Sequence, residues 1–431
     1  MSAPGRRRLL VLFPDEWDRA VIAERGGGHT FFFEGFDLFR FPDNARLFTY
    51  DVLRFADRLV RQYRQRGLDG ILTSDEPFGP TLAALVAERL GLPHTPLPAV
   101  LTAQHKFYAR SAFQAALPGA NPRFGLISRD FHRHRELPLP FPFYVKPVKA
   151  AFSVLARRVA SWEELVRHVD FAWFERAIIQ RLVRPFGEVM RARSSMDVDP
   201  FSMIAEEVID GRQVTANGFV RDGEITQLGV VDSVMYPGTD QFQRFQYPSS
   251  LPPARQHAVE EVASAALRAL GFTHGMFNVE ARVCEATGHV KLIEVNPRVA
   301  GQFFDLFERV DGTNLFDVLL SLETGEAPVV RRRQGPDAVA ASFVMRDIAA
   351  RGLSRWPGPR ELEQLRARHA QARLMVYPKR GANLARERKW LGSYRYAVAN
   401  MGAASEEALF DAYRRLHADV DFHPAGTMTA V

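Results

Sequence analysis

Hydrophobic and polar positions follow two different periodicities in the first hundred residues of the chain. Short apolar runs at Leu9–Phe13 and Gly70–Ser74 predict buried strands. Apolar positions three and four apart over Asn44–Gly67 and Gly79–Leu90 predict helices, the second of which ends at Gly91. Strands that alternate with helices in this order are typical of a parallel sheet covered by helices. An α/β domain is therefore predicted for this part of the chain.

Two acidic residues, Asp75 and Glu76, follow the second predicted strand. They would lie at the carboxyl edge of the sheet, where open α/β sheets bind ligands. A pair of acids at this point also suits the start of the next helix. The sequence leaves both interpretations open.

The same periodicities predict a mixed α/β organisation after residue 100. The predicted strands are Phe143–Lys146, which Pro147 ends, Met203–Ile209, Gln213–Val220, Met276–Val283 and the run that begins at Val290. The predicted helices are Thr102–Leu117, Ala160–Val169, Ala254–Leu270, Arg360–Gln371 and Ser405–His417. At the second of these helices, Ser161 as N-cap and Glu164 three residues later form a capping box.

The most informative segment is Val290–Gly301, in which a carboxylate, an amide and a guanidinium occur at two-residue spacing. They belong to Glu294, Asn296 and Arg298. Strand side chains alternate between the two faces, so the three side chains share one face. The run Met276–Val283 precedes this segment, and Glu285–His289 between them is typical of a turn. A β-hairpin is therefore predicted.

Pairing Cys284 with Val290 in this hairpin places polar residues directly opposite one another. The opposed pairs are Glu280 with Glu294 and Asn278 with Asn296. Two opposed carboxylates repel each other, and a hard divalent cation such as Mg²⁺, which prefers oxygen ligands, would remove that repulsion. A register slipped so that the two glutamates lie solvated on opposite faces is the alternative that spacing alone leaves open.

Composition is that of a globular protein, with 46% hydrophobic and 25% charged residues over 431 positions. That length predicts about two to four domains. The net charge of +6 is spread along the chain, so no concentrated basic face for nucleic acid is expected, only a mild preference for anionic ligands. Cys284 is the single cysteine, which excludes an intrachain disulfide and suits a reducing, cytoplasmic compartment.

The first residues imitate a secretory signal only briefly. The apolar stretch within Arg6–Pro14 is too short for such a signal, and acidic residues follow it at once. No apolar run approaches the length that spans a bilayer. Neither a membrane nor a nucleic acid is therefore expected as a partner.

Three of these segments together resemble the ATP-grasp superfamily: Glu294–Arg298, the preceding strand with Glu280, and Phe143–Pro147. The resemblance is greatest to its carboxylate–amine ligases, which include D-alanine–D-alanine ligases, carnosine-synthase-like enzymes and bacterial amino-acid ligases. It covers roughly residues 100 to 325. The resemblance implies an ATP-grasp domain over 101–330, with a small lid lobe at about 143–210 and a metal-binding, catalytic lobe at about 211–330. A Rossmann-like domain over 1–100 would precede it, and a C-terminal accessory α/β domain over 331–431 would follow.

The resemblance also implies which residues bind the nucleotide. Lys106 and Lys146 correspond to the two lysines that contact phosphates, a task that suits a compact ammonium group. Ser153 corresponds to a phosphate-contacting serine in the loop that closes over the nucleotide. This loop is usually glycine-rich in the family, whereas this chain has Ala150, Ala151 and Phe152 there. Lys149 is hypothesised to supply by charge what backbone amides supply elsewhere.

Adenine and ribose contacts are implied in the segment Ala205–Gln213. Glu206 and the backbone of Glu207 would meet the exocyclic amine, and the backbone of Ile209, with Val208 beside it, would face the ring nitrogen. Gln213 stands where the family commonly has a ribose-binding glutamate, and its amide oxygen also accepts a hydroxyl hydrogen bond. The alternative for the two glutamates is a solvated edge strand.

Glu280, Glu294 and Asn296 correspond to the magnesium ligands of the family, which implies two Mg²⁺ ions, or Mn²⁺ in their place. Arg298 corresponds to the arginine that steadies the acceptor carboxylate and the phosphoryl group in transfer, and its planar fork suits such oxygens. A structural pair between Arg298 and Glu294 is the alternative. Acceptor contacts are expected from Val299–Phe304 and from Tyr236–Tyr247, which includes Arg244.

The implied activity is ATP-dependent ligation of a small-molecule carboxylate to an amine, through an acyl phosphate, with release of ADP and phosphate. Arg298 and Lys146 would be the catalytic residues, and amino-acid-like substrates and a homodimer are expected. Two alternatives stay open at this point: a phosphotransferase on the same scaffold and a nucleotide-binding regulator without turnover.

Overall fold

The computed structural model describes residues 5–38, 42–128, 131, 136–149, 155–170, 173–348, 356–378 and 392–420. The chain divides into two compact units. The first unit comprises Met1–Gly229, Pro252–Gly301 and Phe316–Pro328, and the second comprises Val230–Leu251, Gln302–Leu315 and Val329–Val431. The three-domain division at residues 100 and 330 stays a prediction.

The first unit begins with a three-stranded parallel sheet in the order β2-β1-β3. Its strands are β1 (Arg8–Leu12), β2 (Thr30–Glu34) and β3 (Gly70–Leu72), and its helices are α1 (Glu16–Arg25), α2 (Val52–Arg66) and α3 (Gly79–Leu90). The prediction of one helix over Asn44–Gly67 was wrong in its first part, where a 3₁₀ turn occupies Asp43–Thr49. Helix α2 starts only after Asp51, whose side chain accepts the N–H of Arg54 and caps it.

Two helices follow in place of the single helix predicted over Thr102–Leu117. They are α4 (Leu97–Gln104) and α5 (Lys106–Ala116), separated by His105 in an extended conformation. Lys106 is thus the first residue of α5, and its N–H donates to the carbonyl of Val148 at 2.8 Å. This bond ties the start of α5 to the chain just beyond the strand of Lys146.

A four-stranded antiparallel sheet in the order β4-β7-β5-β6 comes next in the first unit. Its strands are β4 (Phe124–Ile127), β5 (Phe143–Pro147), β6 (Arg157–Val159) and β7 (Met203–Glu207), with helices α6 (Trp162–Val169) and α7 (Trp173–Arg193). Ser161 caps α6 by accepting the N–H of Glu164, as predicted. Helix α7 had not been predicted. Phe143, Val145 and Leu165 are fully buried in the core of this sheet.

The remaining strands of the first unit form an antiparallel sheet in the order β12-β11-β8-β9. They are β8 (Arg212–Arg221), β9 (Glu224–Met235), β11 (Gly275–Val283) and β12 (Val290–Asn296), and helix α8 (Pro253–Ala269) packs against three of them. Strand β9 crosses from the first unit to the second at Gly229. The hairpin of β11 and β12 carries the predicted metal ligands.

The strands of the second unit have the order β9-β10-β13-β15-β14, in which β9 takes part with its residues from Val230 onward. Its elements are β10 (Phe242–Tyr247), α9 (Leu306–Asp311), β13 (Val339–Asp347), α11 (Pro359–Arg368), β14 (Arg373–Val376), β15 (Tyr394–Ala403) and α12 (Glu406–Asp419), while α10 (Leu315–Glu323) returns the chain to the first unit. Only the helices α11 and α12 had been predicted here. Phe343 of β13 stacks on Tyr413 of α12 with ring centroids 3.9 Å apart. Within the described residues, no helix has the length and apolar character needed to cross a membrane.

Candidate active site

Glu280 and Glu294 lie directly opposite each other in the pairing of β11 and β12, as predicted, and Asn278 lies opposite Asn296. The predicted register was nevertheless wrong at the turn, because Val283 rather than Cys284 faces Val290. A β-bulge makes up the difference. Ala281 faces Leu292, and the next pair is Glu280 with Glu294, so Ile293 is the extra residue.

Strand β8 adds a third member to each of these two rows. Its Thr215 faces Glu280 and its Asn217 faces Asn278. The polar set on this face is Thr215, Asn217, Asn278, Glu280, Glu294 and Asn296. The threonine and the three asparagines are buried, and the two glutamates are half-buried. Thr215 and Asn217 had been missed. The signal for them was present, since β8 repeats the two-residue polar spacing of β12.

Both carboxylate oxygens of Glu280 accept hydrogen bonds from amide groups. Nε2 of Gln213 donates to one at 3.0 Å, and Nδ2 of Asn296 lies 3.4 Å from the other. Burial, together with the negative charges of Glu294 and Glu76, raises the pKa of Glu280 to about 8. The Glu280 carboxyl group is therefore mostly protonated at neutral pH.

The pKa of Glu294 is shifted in the opposite direction from that of Glu280. Burial alone would raise its pKa, but Lys106 and Lys146 outweigh that effect and hold the pKa below its usual value. Nζ of Lys106 lies 3.3 Å from Oε2 of Glu294. The opposed carboxylates thus consist of one ionised group paired with a lysine and one group that retains its proton.

Lys146 pairs with Glu206, and so does an arginine that the sequence analysis had missed. Nζ of Lys146 lies 2.8 Å from Oε2 of Glu206, while Nε and Nη2 of Arg110 each donate to the carboxylate at 2.9 Å. Burial would raise the pKa of Glu206, but these two cations lower it to about 2. The side chain of Glu206 is thus engaged with these two cations, and its contact to the adenine amine stays a prediction.

Strand β7 ends at Glu207, two residues before the end of the predicted strand. The first three residues of the predicted adenine segment therefore lie in β7, and the others follow it. Oε2 of Glu207 accepts from Nε of Arg123 at 2.7 Å, and Nζ of Lys291 lies 3.8 Å from Oε1. Val208 and Ile209 follow outside the strand and are half-buried. The second glutamate is therefore paired rather than solvated, unlike the edge-strand alternative.

Arg298 pairs with Glu76 rather than with Glu294. Its Nη2 donates to Oε2 of Glu76 at 2.6 Å, and its Nη1 donates to the carbonyl of Val299 at 3.3 Å. The neighbouring Asp75 accepts the N–H groups of Phe78 and Gly79 at the start of α3, each at 2.8 Å. Asp75 thus serves the helix start, as one interpretation predicted, while the ligand-binding interpretation stays a prediction for Glu76, which pairs with Arg298.

Lys149, two residues beyond Pro147, is also buried. Its ammonium group lies 5.0 Å from the ring centroid of Phe186, a cation–π contact. Burial lowers its pKa to about 8. Ser153 and the residues 150–152 lie outside the described residues. Arg244 belongs to the second unit, where its guanidinium lies over the ring of Phe410 at 4.8 Å.

Comparison with known proteins gives this arrangement a context. Residues 139–305 match the ATP-grasp domain family. Over 302 residues the chain is 26% identical to carnosine synthase 1 of Gallus gallus, a match that covers 65% of this chain and 30% of the relative. A second curated relative, an uncharacterised protein of Sinorhizobium fredii, is 28% identical over 207 residues, which are 47% of this chain and 38% of that protein. The chain thus spans about a third of the length of the curated relatives it matches.

Among solved structures, the L-amino acid ligase of Bacillus licheniformis superimposes with a TM-score of 0.69 at 20% identity, over 97% of this chain and 98% of that one. A carboxyaminoimidazole ribonucleotide synthase of Aspergillus clavatus, complexed with ATP, gives a TM-score of 0.66 at 14% identity, over 97% and 99%. Identities this low establish a shared fold. Residues 139–305 of the chain are therefore an ATP-grasp domain, and the chain as a whole has the fold of ATP-grasp ligases.

Proposed function

We propose that the protein is an ATP-dependent carboxylate–amine ligase, which joins amino-acid-like substrates by an amide or peptide bond and releases ADP and phosphate. The observation that carries the proposal is the opposition of Glu280 and Glu294 on a buried polar face, with Lys106 bonded to Glu294. Buried carboxylates opposed in this way are costly for a structural sheet and useful for binding a cation that carries phosphates. The names of the relatives, carnosine synthase and L-amino acid ligase, support amino-acid-like substrates.

The donor set fits Mg²⁺. Among the described residues, no three His, Cys, Asp or Glu side chains converge into a complete metal cage. The set at this face is two carboxylates and an amide, Glu280, Glu294 and Asn296, which suits an ion held by one or two carboxylates together with substrate phosphates. The bound ion would neutralise charge on the β- and γ-phosphates. Its charge would also offset the burial and the neighbouring negative charges that keep Glu280 protonated.

The nucleotide would lie between the lysines and the segment after β7. Lys146 is buried and Lys106 is half-buried. Both are held by carboxylates, Glu206 and Glu294 respectively, so their ammonium groups are positioned before the phosphates arrive. Backbone groups of Glu207 to Ile209 would meet adenine, and Gln213 would meet the ribose. Ser153 completes the proposed phosphate contacts.

The proposed reaction needs no nucleophilic side chain. An oxygen of the substrate carboxylate attacks the γ-phosphorus, the bond to the β–γ bridging oxygen breaks, and ADP leaves with that oxygen. The neutral amine then attacks the carbonyl carbon of the acyl phosphate and forms the C–N bond. The C–O bond to phosphate breaks, phosphate leaves, and the nitrogen loses one proton to the departing phosphate or to solvent. Arg298, oriented by Glu76, would offset charge on the transferring phosphoryl group and on the acceptor carboxylate. The lid lobe at about 143–210 would keep water from the acyl phosphate.

Two further expectations belong to this proposal. A reducing, cytoplasmic compartment suits a chain whose one cysteine, Cys284, is free. A homodimer, common in this superfamily, is expected as the assembled form. Sedimentation of the purified protein over a range of concentrations measures the second directly.

The test is to incubate the protein with ATP, Mg²⁺ and a library of amino acids, and to measure ADP, free phosphate and the mass of new products. A ligase releases ADP and phosphate only when both an acid and an amine are present. A phosphotransferase gives ADP and a phosphorylated product without free phosphate, and a regulator gives neither.

The matched control compares two glutamates of the same hairpin. Glu294→Gln, or Glu294→Ala, is expected to abolish product formation while the melting curve stays close to that of the wild type. Glu285→Gln, in the exposed turn between the strands, is expected to keep full activity. Full activity of the Glu294 variants would contradict the metal assignment.

A further inference from the structure

The face of the sheet on which the Glu294 side chain lies depends on the bulge at Ile293. Val283, Arg282 and Ala281 pair with Val290, Lys291 and Leu292 without interruption. Had the ladder continued in that register, Glu294 would have faced Val279. Its side chain would then lie on the face opposite to Glu280, because a shift of one residue exchanges the faces of a strand. The extra residue restores the opposition of the two carboxylates.

A bulge leaves backbone groups outside the ladder, and here a single side chain, that of Arg110, donates hydrogen bonds to two of them. Nη1 of Arg110 donates to the carbonyl of Leu292 at 2.9 Å, and its Nη2 donates to the carbonyl of Ile293 at 2.7 Å. The N–H of Leu292 donates to the carbonyl of Ala120 at 2.8 Å. The bulge is therefore held by partners from outside its own sheet.

The same guanidinium holds the carboxylate of Glu206. Its Nε and Nη2 form a bidentate pair with that group, and Lys146 bonds to the same carboxylate. Asn121 accepts a further bond from Nη1 at 3.3 Å. Arg110 is 2% exposed, and its donors are committed to β7, β12 and Asn121.

Only an arginine can make this set of contacts. A guanidinium has five N–H donors fixed in one plane, whereas an ammonium has three donors on a single atom. An ammonium at this place would compensate the charge of Glu206 but would not also reach two successive carbonyls of β12. Arg110 is itself four residues along α5 from Lys106, the residue that pairs with Glu294.

We infer that Arg110 is a positioning residue that couples the nucleotide side of the site to its metal side. Through Glu206 it places Lys146, and through the carbonyls of Leu292 and Ile293 it aims Glu294. This inference rests on the proposed function, since it assigns nucleotide phosphates to Lys146 and a divalent cation to Glu294. It adds a consequence beyond the contact of the cation with the phosphates: loss of Arg110 would displace ligands of the nucleotide and of the cation together, and would therefore lower the gain in ADP affinity that Mg²⁺ provides.

The experiment measures the affinity for ADP by calorimetry with and without Mg²⁺. The dissociation constant without Mg²⁺, divided by the dissociation constant with Mg²⁺, is the ratio that measures the coupling. Arg110→Lys is expected to reduce this ratio at least about tenfold. Arg89→Lys, in an exposed pair with Asp57 on the N-terminal helices, is the control and is expected to keep the wild-type ratio. A residue that only stabilised the fold would change the melting temperature and leave the ratio of the folded protein unchanged.

A second pair of variants serves if Arg110→Lys does not fold. Arg110→Met combined with Glu206→Gln removes both buried charges together, an exchange that buried ion pairs often tolerate. Glu206→Gln alone leaves the bonds from Arg110 to β12. The double variant is expected to reduce the ratio at least about tenfold, and the single variant is expected to weaken ADP binding while keeping the ratio within about threefold of the wild-type value.

The outcomes separate the inference from the proposed function. If the wild type binds ADP equally well with and without Mg²⁺, the metal assignment itself is wrong. If the wild type shows coupling and either Arg110 variant retains it, the metal site stands and the role of Arg110 is overturned. Loss of coupling in the Arg110 variants, with the Arg89 control unchanged, supports the inference.

Discussion

Arg298 donates a hydrogen bond from Nη2 to Oε2 of Glu76 at 2.6 Å, which joins the residues after β12 to the loop after β3. The side chains are only 13% and 14% exposed. A charge-assisted bond at this burial fixes the direction of the guanidinium. Glu76 therefore orients the proposed catalytic arginine before any substrate binds.

Glu76→Gln is expected to lower kcat about tenfold, because an amide oxygen accepts a weaker bond than a carboxylate and holds Arg298 less firmly. The KM for ATP is expected to change less, since Glu76 does not contact the predicted adenine segment. Initial rates of ADP release measure both parameters. Glu88→Gln, in an exposed pair with Arg193, is the control. A kcat equal to that of the wild type would show that Glu76 does not position Arg298.

Lys146→Ala is expected to weaken ADP binding by about 1.5–3 kcal/mol, the range for a hydrogen bond to a charged group. The loss should be confined to the phosphate contact, because Arg110 continues to hold Glu206 after the lysine is removed. Titration calorimetry with ADP gives the affinity, and Arg193→Ala on the exposed end of α7 is the comparison. Unchanged affinity would count against the arrangement of lobes on which the nucleotide site depends.

The opposition of Glu280 and Glu294 was accessible from the sequence because strand side chains alternate with a period of two. The bulge was not, since nothing in the letters Leu292, Ile293 and Glu294 marks where a ladder adds a residue. The predicted opposition was thus correct while the predicted pair of Cys284 with Val290 was wrong. Sequence spacing gave the face of the side chains, and only the structure gives the register that produces it.

Long-range charge pairs were the other part that the sequence did not reveal. Glu76 and Arg298 are 222 residues apart, and Arg110 and Glu206 are 96 apart. Periodicity predicts which side of a helix or strand a residue occupies, but not which distant element packs against that side. Arg110 lies one helical turn from Lys106, so its position was predictable and its partners were not. Thr215 and Asn217, by contrast, were overlooked although their strand shows the same two-residue polar spacing as β12.

Binding of Mg²⁺ is expected to release close to one proton at pH 7. The pKa of Glu280 is raised to about 8 by burial and by the charges of Glu294 and Glu76, so the carboxyl group holds a proton at pH 7 that a cation must displace. The apparent affinity for Mg²⁺ should therefore increase with pH until about pH 8. Calorimetry in two buffers of different ionisation enthalpy counts the protons.

The raised pKa of Glu280 also determines how the stability of the metal-free protein changes with pH. The pKa of Glu280 in the folded protein lies above its ordinary value of 4.5, so the protonated group stabilises the metal-free protein fully below that value. This contribution is lost as the pH rises through about 8. Glu280→Gln should remove both the proton release and this part of the pH dependence. Equal binding enthalpies in the two buffers for the wild type would contradict the prediction.

Gly211 connects the predicted adenine segment to β8 and has no room for a side chain. Its φ is +105°, and a Cβ atom there would lie 2.3 Å from the carbonyl oxygen of Val283. Gly223 in the next turn also has positive φ, +85°, but faces open space. Gly223→Ala therefore carries only the backbone strain, about 1–2 kcal/mol, while Gly211→Ala adds a clash with backbone that costs about 1–3 kcal/mol more.

The difference between these two alanine variants isolates the steric contribution, since both replace a glycine of positive φ. Urea denaturation gives the free energy of unfolding for each. Gly211→Ala is also expected to weaken ADP binding, because the chain must shift between Ile209 and Gln213, whereas Gly223→Ala should bind ADP as the wild type does. If the two variants were equally stable and bound ADP equally well, the turn at Gly211 would yield without moving the residues beside it. The proposed placement of adenine and ribose contacts on either side of this turn would then lose its structural basis.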